Sequence, residues 1–412
     1  MEAIKRLKKI CEREKNVIIE LVRKEGGFPK ADIEAVYLDV LDGFDYYIEE
    51  YKKVSPIDFP INPEIQPNTQ TKVEFVPHGV IGHIGIWNYP FWQTMITVIP
   101  ALLTGNSIVY KPSEYATMTG LKISGMVHEA GVPENVFITL IGGAEIGKEI
   151  VKSDVDAIVF TGGIDTGLDI VKNAGIKPLI LELSGNDATI VCSDADIEQT
   201  IRGIAWGTFT HGGQNCIRIK RIYVAKSISE KFIPMFVEFC KRIDAKEDVG
   251  PLIREHARNN VDRVVKDAVK KGAKILLGGK KIKGEGFFYE PTILLIDRDD
   301  LEVTKKETFG PVCPIRIVKN EGEAVKLAND TKYGLGATIW TQDYRKGMEL
   351  AKRLEVGTVW INDSNMPLIC GEFLQGWKQS GIPSSQKRLW MFLKKRTVVR
   401  HKSKEPREWW FS

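Results

Sequence analysis

The sequence predicts an α/β protein built around parallel sheets. Short apolar segments alternate with helix-length segments from about residue 80 to 180, and again from about 188 to 380. Strands spaced in this way form βαβ units, which build parallel sheets covered by helices. The chain has 412 residues, of which 43% are hydrophobic and 27% charged. That is ordinary globular usage and enough length for two or three domains.

Each element has its own signal. Ile4, Leu7, Ile10 and Cys11, then Ile18, Ile19, Leu21 and Val22, recur at helical spacing among charges. Gly26-Gly27-Phe28-Pro29 stops that helix, and Ala31 to Tyr51 is a second amphipathic stretch. Residues 55–70 are rich in Pro and Asn and read as an extended connection, followed by a strand at Thr71–Val76. The first alternation puts strands at Val80–Trp87, Ser107–Tyr110, Val136–Ile141, Ala157–Phe160 and Pro178–Leu183. Helices fill Phe91–Leu103, Met118–Ala130, Ala144–Lys152 and Asp165–Asn173. The second puts strands at Ala188–Cys192, Arg221–Val224, Lys274–Leu277, Tyr289–Leu295, Val312–Val318, Ala337–Trp340 and Thr358–Ile361. A last strand, Arg396–Arg400, precedes a basic, aromatic tail ending Trp409-Trp410-Phe411.

Several function classes are disfavoured. The 58 Lys+Arg and 54 Asp+Glu are intermixed, with a formal net charge of +4, so there is no basic stripe for nucleic acid. The most apolar run, Phe91–Leu103, is too short to span a membrane and is broken by Gln93, two Thr and Pro100. The N-terminus has no apolar signal region, and its acidic residues argue against a transit peptide. Six Cys, at 11, 192, 216, 240, 313 and 370, form no CxxC. The expectation is a reducing, cytoplasmic setting with neither a zinc site nor a disulfide framework.

Two glycine turns follow strands and open helices, the context in which backbone N–H groups receive phosphate. Gly142-Gly143-Ala144-Glu145-Ile146-Gly147-Lys148 fits GxxxxGK, but residue 149 is Glu where a P-loop needs Ser or Thr. Thr161-Gly162-Gly163 is the second. Among the cysteines, Cys216 alone follows a polar glycine loop, His211-Gly212-Gly213-Gln214-Asn215, and precedes Arg218, Lys220 and Arg221. Such cations lower a thiol pKa, so Cys216 is either a nucleophile or a buried thiol; His211 is a base for it or a plain loop residue. Glu182 sits in the apolar strand end Leu181-Glu182-Leu183-Ser184-Gly185. An acid there is either ion-paired or raised in pKa by burial, as a general base requires. Asn88, in Trp87-Asn88-Tyr89-Pro90, ends another strand on the same side; its amide either donates to an oxyanion or starts a turn.

Taken together, these segments resemble the aldehyde dehydrogenase superfamily. The resemblance runs from about residue 15 to the end. It rests on Trp87-Asn88-Tyr89-Pro90, Lys111-Pro112-Ser113-Glu114, Phe160-Thr161-Gly162-Gly163, Leu181-Glu182-Leu183-Ser184-Gly185 and Gly213-Gln214-Asn215-Cys216. Glu307-Thr308-Phe309-Gly310-Pro311 and Asn329-Asp330 to Tyr333-Gly334-Leu335 complete the series.

The resemblance implies a Rossmann-like cofactor domain, an α/β catalytic domain and a β-strand oligomerisation arm. It places the NAD(P)-binding domain at 1–60 and 80–183, the catalytic domain at 184–385, and the arm at 61–79 and 386–412. It implies a homodimer or homotetramer that oxidises a small-molecule aldehyde to the acid through a thiohemiacetal and thioester on Cys216, with no metal. Asn88 is then the oxyanion donor and Glu182 the base for hydrolytic water. Trp87, Lys111, Ser113, Glu114, Gly143, Gly147, Thr161, Gly162, Gly163, Leu183, Glu307 and Phe309 are the implied cofactor contacts. Two departures stand out: Gly163 replaces a usual Ser, and Ser184 a common Gly. Glu114 accepts from a free ribose 2′-hydroxyl and repels a 2′-phosphate, which favours NAD over NADP, with NADP as the second choice. Tyr89, Trp92, Trp206, Phe209, Ile217 and the 364–373 loop predict an apolar, aromatic pocket for neutral aldehydes. Glu182 argues for hydrolysis against the alternatives, a CoA-acylating enzyme and a non-catalytic protein of this fold.

Overall fold

The computed structural model describes residues 1–62, 64, 66, 68–364, 374–382 and 387–404. Two long helices open the chain, α1 (Glu2–Gly26) and α2 (Lys30–Lys52). Gly27, at φ 74°, ends α1 in the left-handed conformation that favours glycine. A short strand β1 (Ile57–Phe59) and the long β2 (Thr69–Pro77) follow.

The first parallel sheet comes next, with β3 (Val80–Ile84), α3 (Pro90–Leu103), β4 (Ser107–Lys111), α4 (Thr117–Glu129) and β5 (Phe137–Thr139). It continues through α5 (Ala144–Lys152), β6 (Ala157–Gly162), α6 (Ile164–Asn173) and β7 (Leu179–Leu183). The strand order is β5-β4-β3-β6-β7, every pair parallel. This is a doubly wound, Rossmann-like sheet, and its order reverses beside β3, where such sheets bind ligands. Its α1–α4 face is one continuous apolar cluster. The apolar run that the sequence singles out is α3, buried along nearly its whole length within this layer.

The second sheet is built from β8 (Asp187–Val191), α7 (Ile197–Phe209), β9 (Ile219–Ala225), α8 (Lys226–Cys240), α9 (Glu255–Lys270), β10 (Lys274–Leu277), β11 (Thr292–Ile296), α10 (Glu302–Lys305), β12 (Val312–Val318) and α11 (Glu321–Asn329). Next come β13 (Tyr333–Gly334), β14 (Gly336–Trp340), α12 (Tyr344–Ala351), β15 (Thr358–Ile361), β16 (Trp377–Lys378) and β17 (Leu393–His401). The seven strands run β10-β11-β12-β9-β8-β14-β15, with only β10 antiparallel to its neighbour. β13 and β16 form a two-residue ribbon. β17 pairs antiparallel with β2 over nine residues, and with β1 they make a three-stranded sheet. The terminal strand is longer than the sequence pattern indicates, because β2 offers it a full-length partner. The predicted Val80–Trp87 strand stops at Ile84, and the following residues turn into the cavity described next.

Candidate active site

The carboxyl ends of β3, β4, β6 and β7 open onto a cavity of about 1200 Å³ that is also lined by Trp206, Thr210, Asn215, Cys216, Ile217, Glu307 and Phe309. It is lined by Asn88, Glu182 and Cys216, by all twelve of the implied cofactor contacts, and by Tyr89, Trp92, Trp206 and Ile217. Phe209 does not line it; it is packed in the core behind the second sheet. Of the 364–373 loop, residues 365–373 lie outside the described residues, as do Cys370 and the tail Trp409-Trp410-Phe411.

The loop carrying Cys216 is shaped by its own sequence. His211, Gly212 and Gly213 all have φ between 60° and 67°. A Cβ on Gly213 would stand 2.3 Å from the Gly310 carbonyl oxygen, so only glycine lets this loop lie against residues 310–311. Gln214 is fully buried; its Nε2 donates to the Pro251 carbonyl at 3.0 Å and its Oε1 accepts from Ile253 N–H at 2.9 Å. Asn215 Oδ1 accepts from Ile217 N–H at 3.1 Å, and the Cys216 thiol lies 3.7 Å from it as a donor. Asn88 is tied to the same loop. Its Nδ2 donates to the Gln214 carbonyl at 2.9 Å, and its carbonyl oxygen lies 2.6 Å from His211 Nε2. An amide nitrogen carries two hydrogens, so one remains for a ligand.

His211 does not pair with the thiol. Its ring is stacked between Phe28 and Tyr89, at centroid distances of 3.6 and 4.3 Å. Burial lowers its pKa to about 3, so it is neutral and serves to fix the Asn88 backbone. The cations after Cys216 also divide their roles. Arg218 is buried and donates to the carbonyls of Ile219, Val312 and Thr308, which fixes the Glu307–Phe309 turn. Arg221 donates to the carbonyls of Asn186, Leu327 and Ala328. Lys220 alone acts at the site: its Nζ donates to the carbonyls of Asn215 and Cys216, at 3.1 and 2.6 Å, and lies 3.3 Å from Glu307 Oε1. The expectation that the three cations depress the thiol pKa is therefore corrected. Burial pushes the Cys216 thiol up to about 12; Lys220 opposes this, while Glu307, Glu182 and Asp187 add to it.

Glu182 lines the cavity between the buried residues Leu181 and Leu183. Glu182 is ion-paired: Arg388 Nη1 donates to its Oε1. Nothing in the sequence singled out Arg388.

The two glycine turns differ. At the start of α5 the Glu145 carboxylate accepts from Gly143 N–H at 2.7 Å, so this helix end is already met by an anion. The start of α6, at Gly163, has no side-chain cap, and a Cβ at Gly163 would touch nothing within 4 Å. Room and free backbone donors for a phosphate lie there. Lys111 Nζ sits 3.2 Å from Glu114 Oε2 beside the β4 end, and Phe309 stands edge-on to Trp87 at 5.7 Å. A cavity of this volume with one open helix N-terminus, a Lys–Glu pair and an aromatic wall fits a dinucleotide. Among the described residues no group of His, Cys, Asp and Glu has a metal-binding arrangement. Sequence reasoning also missed Asp32, Asp39 and Asp42, which line the cavity from one face of α2.

A doubly wound fold with a thiol, an amide and a carboxylate lining a dinucleotide-sized cavity is that of a cofactor-dependent enzyme. The sequence model of the "Aldehyde dehydrogenase family" matches residues 1–398, and the chain belongs to that family. It is 36% identical over 393 residues to betaine aldehyde dehydrogenase of Bacillus subtilis, covering 92% of this chain and 79% of that protein. It is 40% identical over 318 residues to lactaldehyde dehydrogenase of Methanocaldococcus jannaschii, covering 74% and 68%. Betaine aldehyde dehydrogenase of Staphylococcus aureus in complex with NAD+ superposes with a TM-score of 0.94 at 30% identity, covering all of this chain and 84% of that one. The protein is an NAD(P)-dependent aldehyde dehydrogenase.

Proposed function

We propose that this enzyme oxidises its aldehyde by a hydrolytic route in which Cys216 is the nucleophile, Asn88 the oxyanion donor and Glu182 the base. The observation that carries this is the meeting of the three side chains on one cavity, with Asn88 and the Cys216 loop tied together by hydrogen bonds. The Cys216 thiol loses its proton to solvent water, and the sulfur bonds to the aldehyde carbon as the carbonyl π bond breaks, placing negative charge on oxygen. The second Asn88 N–H, with the Cys216 backbone N–H, stabilises that oxygen. NAD+, held by the residues assigned below, would supply the hydride acceptor for this carbon, and the loss of hydride would leave a thioester on Cys216. Water then attacks the thioester carbon, its proton passes to Glu182, the carbon–sulfur bond breaks, and the acid departs from the restored thiolate.

Lys111, Ser113 and Glu114 are assigned to the adenosine ribose, the Thr161–Gly163 turn to the pyrophosphate, and Glu307 and Phe309 to the nicotinamide end. The Glu114 carboxylate beside Lys111 favours NAD over NADP. The substrate mouth combines Tyr89, Trp92 and Trp206 with Asp32, Asp39 and Asp42, whereas the cations lining the cavity, Lys111, Lys148, Lys152 and Arg254, cluster with the cofactor candidates. This charge disfavours anionic aldehydes and favours neutral or cationic ones. Apolar side chains exposed on the β1-β2-β17 sheet (Ile57, Phe59, Val398, Val399) and around α6 (Leu168, Val171, Ile176) support a homo-oligomer with the arm as an interface. Residues 1–60 with 80–183, 184–385, and 61–79 with 386–412 are the corresponding units. No described helix is long and apolar enough to cross a membrane.

Rapid mixing of Glu182→Gln with aldehyde and NAD+ tests the assignment. A burst of about one NADH per site followed by a stall is expected, with hydroxylamine partly restoring turnover. Absence of a burst in a variant that still binds NAD+ would place Glu182 before hydride transfer. A panel of trimethylammonium, neutral and carboxylate-bearing aldehydes of equal length, run with NAD+ and NADP+ separately, ranks the substrates.

A further inference from the structure

Arg388 reaches the cavity wall from outside both sheets. It begins a 3-10 turn, Arg388–Phe392, that leads directly into the arm strand β17. Upstream of the turn, residues 380–382 run along β7: Leu183 N–H donates to the Ser380 carbonyl at 2.8 Å, and Glu182 bridges to Gly381. The turn itself is firmly seated. Leu389 and Phe392 have no exposed surface, Lys387 pairs with the buried Glu50 at 2.9 Å, and Asn106 Nδ2 donates to the Phe392 carbonyl at 3.0 Å.

The guanidinium, only 3% exposed, spans two elements. Its Nε donates to the Ile96 carbonyl of α3 at 2.9 Å, and its Nη1 donates to Glu182 Oε1. A guanidinium is planar, so fixing one nitrogen on an immobile carbonyl fixes where the carboxylate on another nitrogen must lie. The neighbouring charges leave this role to Arg388. His83 on β3 is held neutral by burial, with Arg388 adding to that effect, and Lys220 is engaged by Glu307.

We propose that Arg388 is a positioning residue for the hydrolytic base: it holds the Glu182 carboxylate at the cavity wall, and so serves thioester hydrolysis rather than hydride transfer. The inference rests on the assignment of Glu182 as base. A buried carboxylate that loses its cation either takes up a proton or turns out to water, and either change removes it as a base. Because the turn continues into β17, the arm strand and the catalytic base share one anchored segment.

The test separates the burst of NADH, which reports acylation of Cys216, from the steady state, which reports hydrolysis. In Arg388→Met the burst is expected to stay near one equivalent per site, while the steady-state rate falls about 10–100-fold, part of what a positioned base contributes. Hydroxylamine should restore much of that loss, and Arg388→Lys, which keeps the charge without the fork, should fall between. The double variant Arg388→Met/Glu182→Gln should be no slower than Glu182→Gln alone, since both act through one group. Equal loss of burst rate and steady state, or an unchanged steady state, overturns the proposal. If Arg388→Met does not accumulate as folded protein, Arg388→Lys carries the same test, and a loss shared by both phases overturns it. Wild-type steady state in Glu182→Gln would instead sink the base assignment itself. A stalled Glu182→Gln beside an unimpaired Arg388→Met would sink this inference alone.

Discussion

Gly213→Ala should damage catalysis through geometry alone. The added Cβ would lie 2.3 Å from the Gly310 oxygen, 2.4 Å from its carbonyl carbon and 2.8 Å from Pro311 N, all backbone atoms. No side chain can yield, so the Cys216 loop and the Glu307–Gly310 turn must separate by close to 1 Å to reach ordinary contact distance (about 3.5 Å). Holding alanine at the φ of +67° found for Gly213 costs a further ~1–2 kcal/mol, and the overpacking about 1–3 kcal/mol. The expected destabilisation is thus roughly 2–5 kcal/mol. Phe309 and Glu307 move with Gly310, and a displacement near 1 Å between reacting groups costs on the order of 10²-fold in rate. Thermal unfolding and kcat/KM measure the two effects. Gly125→Ala is the control, since Gly125 lies exposed inside α4, away from the cavity, and its Cβ meets nothing within 4 Å. Gly213→Ala with wild-type unfolding and wild-type kcat/KM would refute the account of the loop.

The other expectations are simpler. Cys216→Ala should abolish aldehyde oxidation and leave NAD+ binding intact, whereas Cys313→Ala and Cys192→Ala, both buried away from the cavity, should stay active; matching losses in the latter would unseat Cys216. Iodoacetamide should alkylate Cys216 slowly in the free enzyme, faster with NAD+ bound and less so with NADH, because only the oxidised ring brings a positive charge to the thiol; equal acceleration by both contradicts this. His83 and His211 keep pKa values of about 3 in the fold against ~6.5 when unfolded. The unfolded chain therefore binds more protons between those limits, and stability falls as pH drops from 6.5 towards 3, by about 1.4 kcal/mol per unit for each histidine. Urea midpoints across that range should depend less on pH in His83→Leu, and an unchanged slope would contradict the burial argument. Deleting residues 395–412 removes most of the strand that pairs with β2 and should lower the mass in light scattering; an unchanged mass would remove the arm from the interface.

What the sequence made legible follows from locality. The loop Gly212-Gly213-Gln214-Asn215-Cys216 is recognisable because each residue meets a constraint set within the loop or by one fixed neighbour. The strands of both sheets are recognisable because burial on two faces demands continuous apolar runs. Asp32, Asp39 and Asp42 escaped notice because a polar stripe on an amphipathic helix looks like a solvated face, and only the fold turns this stripe towards the cavity. Arg388 escaped because it stands beside Lys387 before the apolar run Leu389-Trp390-Met391-Phe392, and its partner is 206 residues away. The strands β13 and β16 are two residues each, too short for any periodicity. The two glycine turns looked alike in sequence; the Glu145 side chain that folds back on one of them separates them only in three dimensions.

The charges around Cys216 explain why the thiol can be both buried and useful. Glu182, Glu307 and Asp187 all press against its ionisation, and only Lys220 favours it. That lysine is itself buried, its pKa lowered, and its three hydrogens are shared among two carbonyls and Glu307. Arg218 and Arg221 offer nothing to the sulfur, being turned to backbone carbonyls. A protonated thiol is a poor nucleophile and a poor target for oxidants, so burial protects Cys216. The balance is also close to tipping, because two of the three acids beside the thiol are met by a cation. Arg388 already meets Glu182, and Lys220 meets Glu307. A further positive charge delivered to the cavity then acts on the sulfur with little competition, in surroundings that water screens poorly. Reactivity at Cys216 is in this way made conditional on what else occupies the cavity, and the buried cations that secure the two glutamates are what make the condition effective.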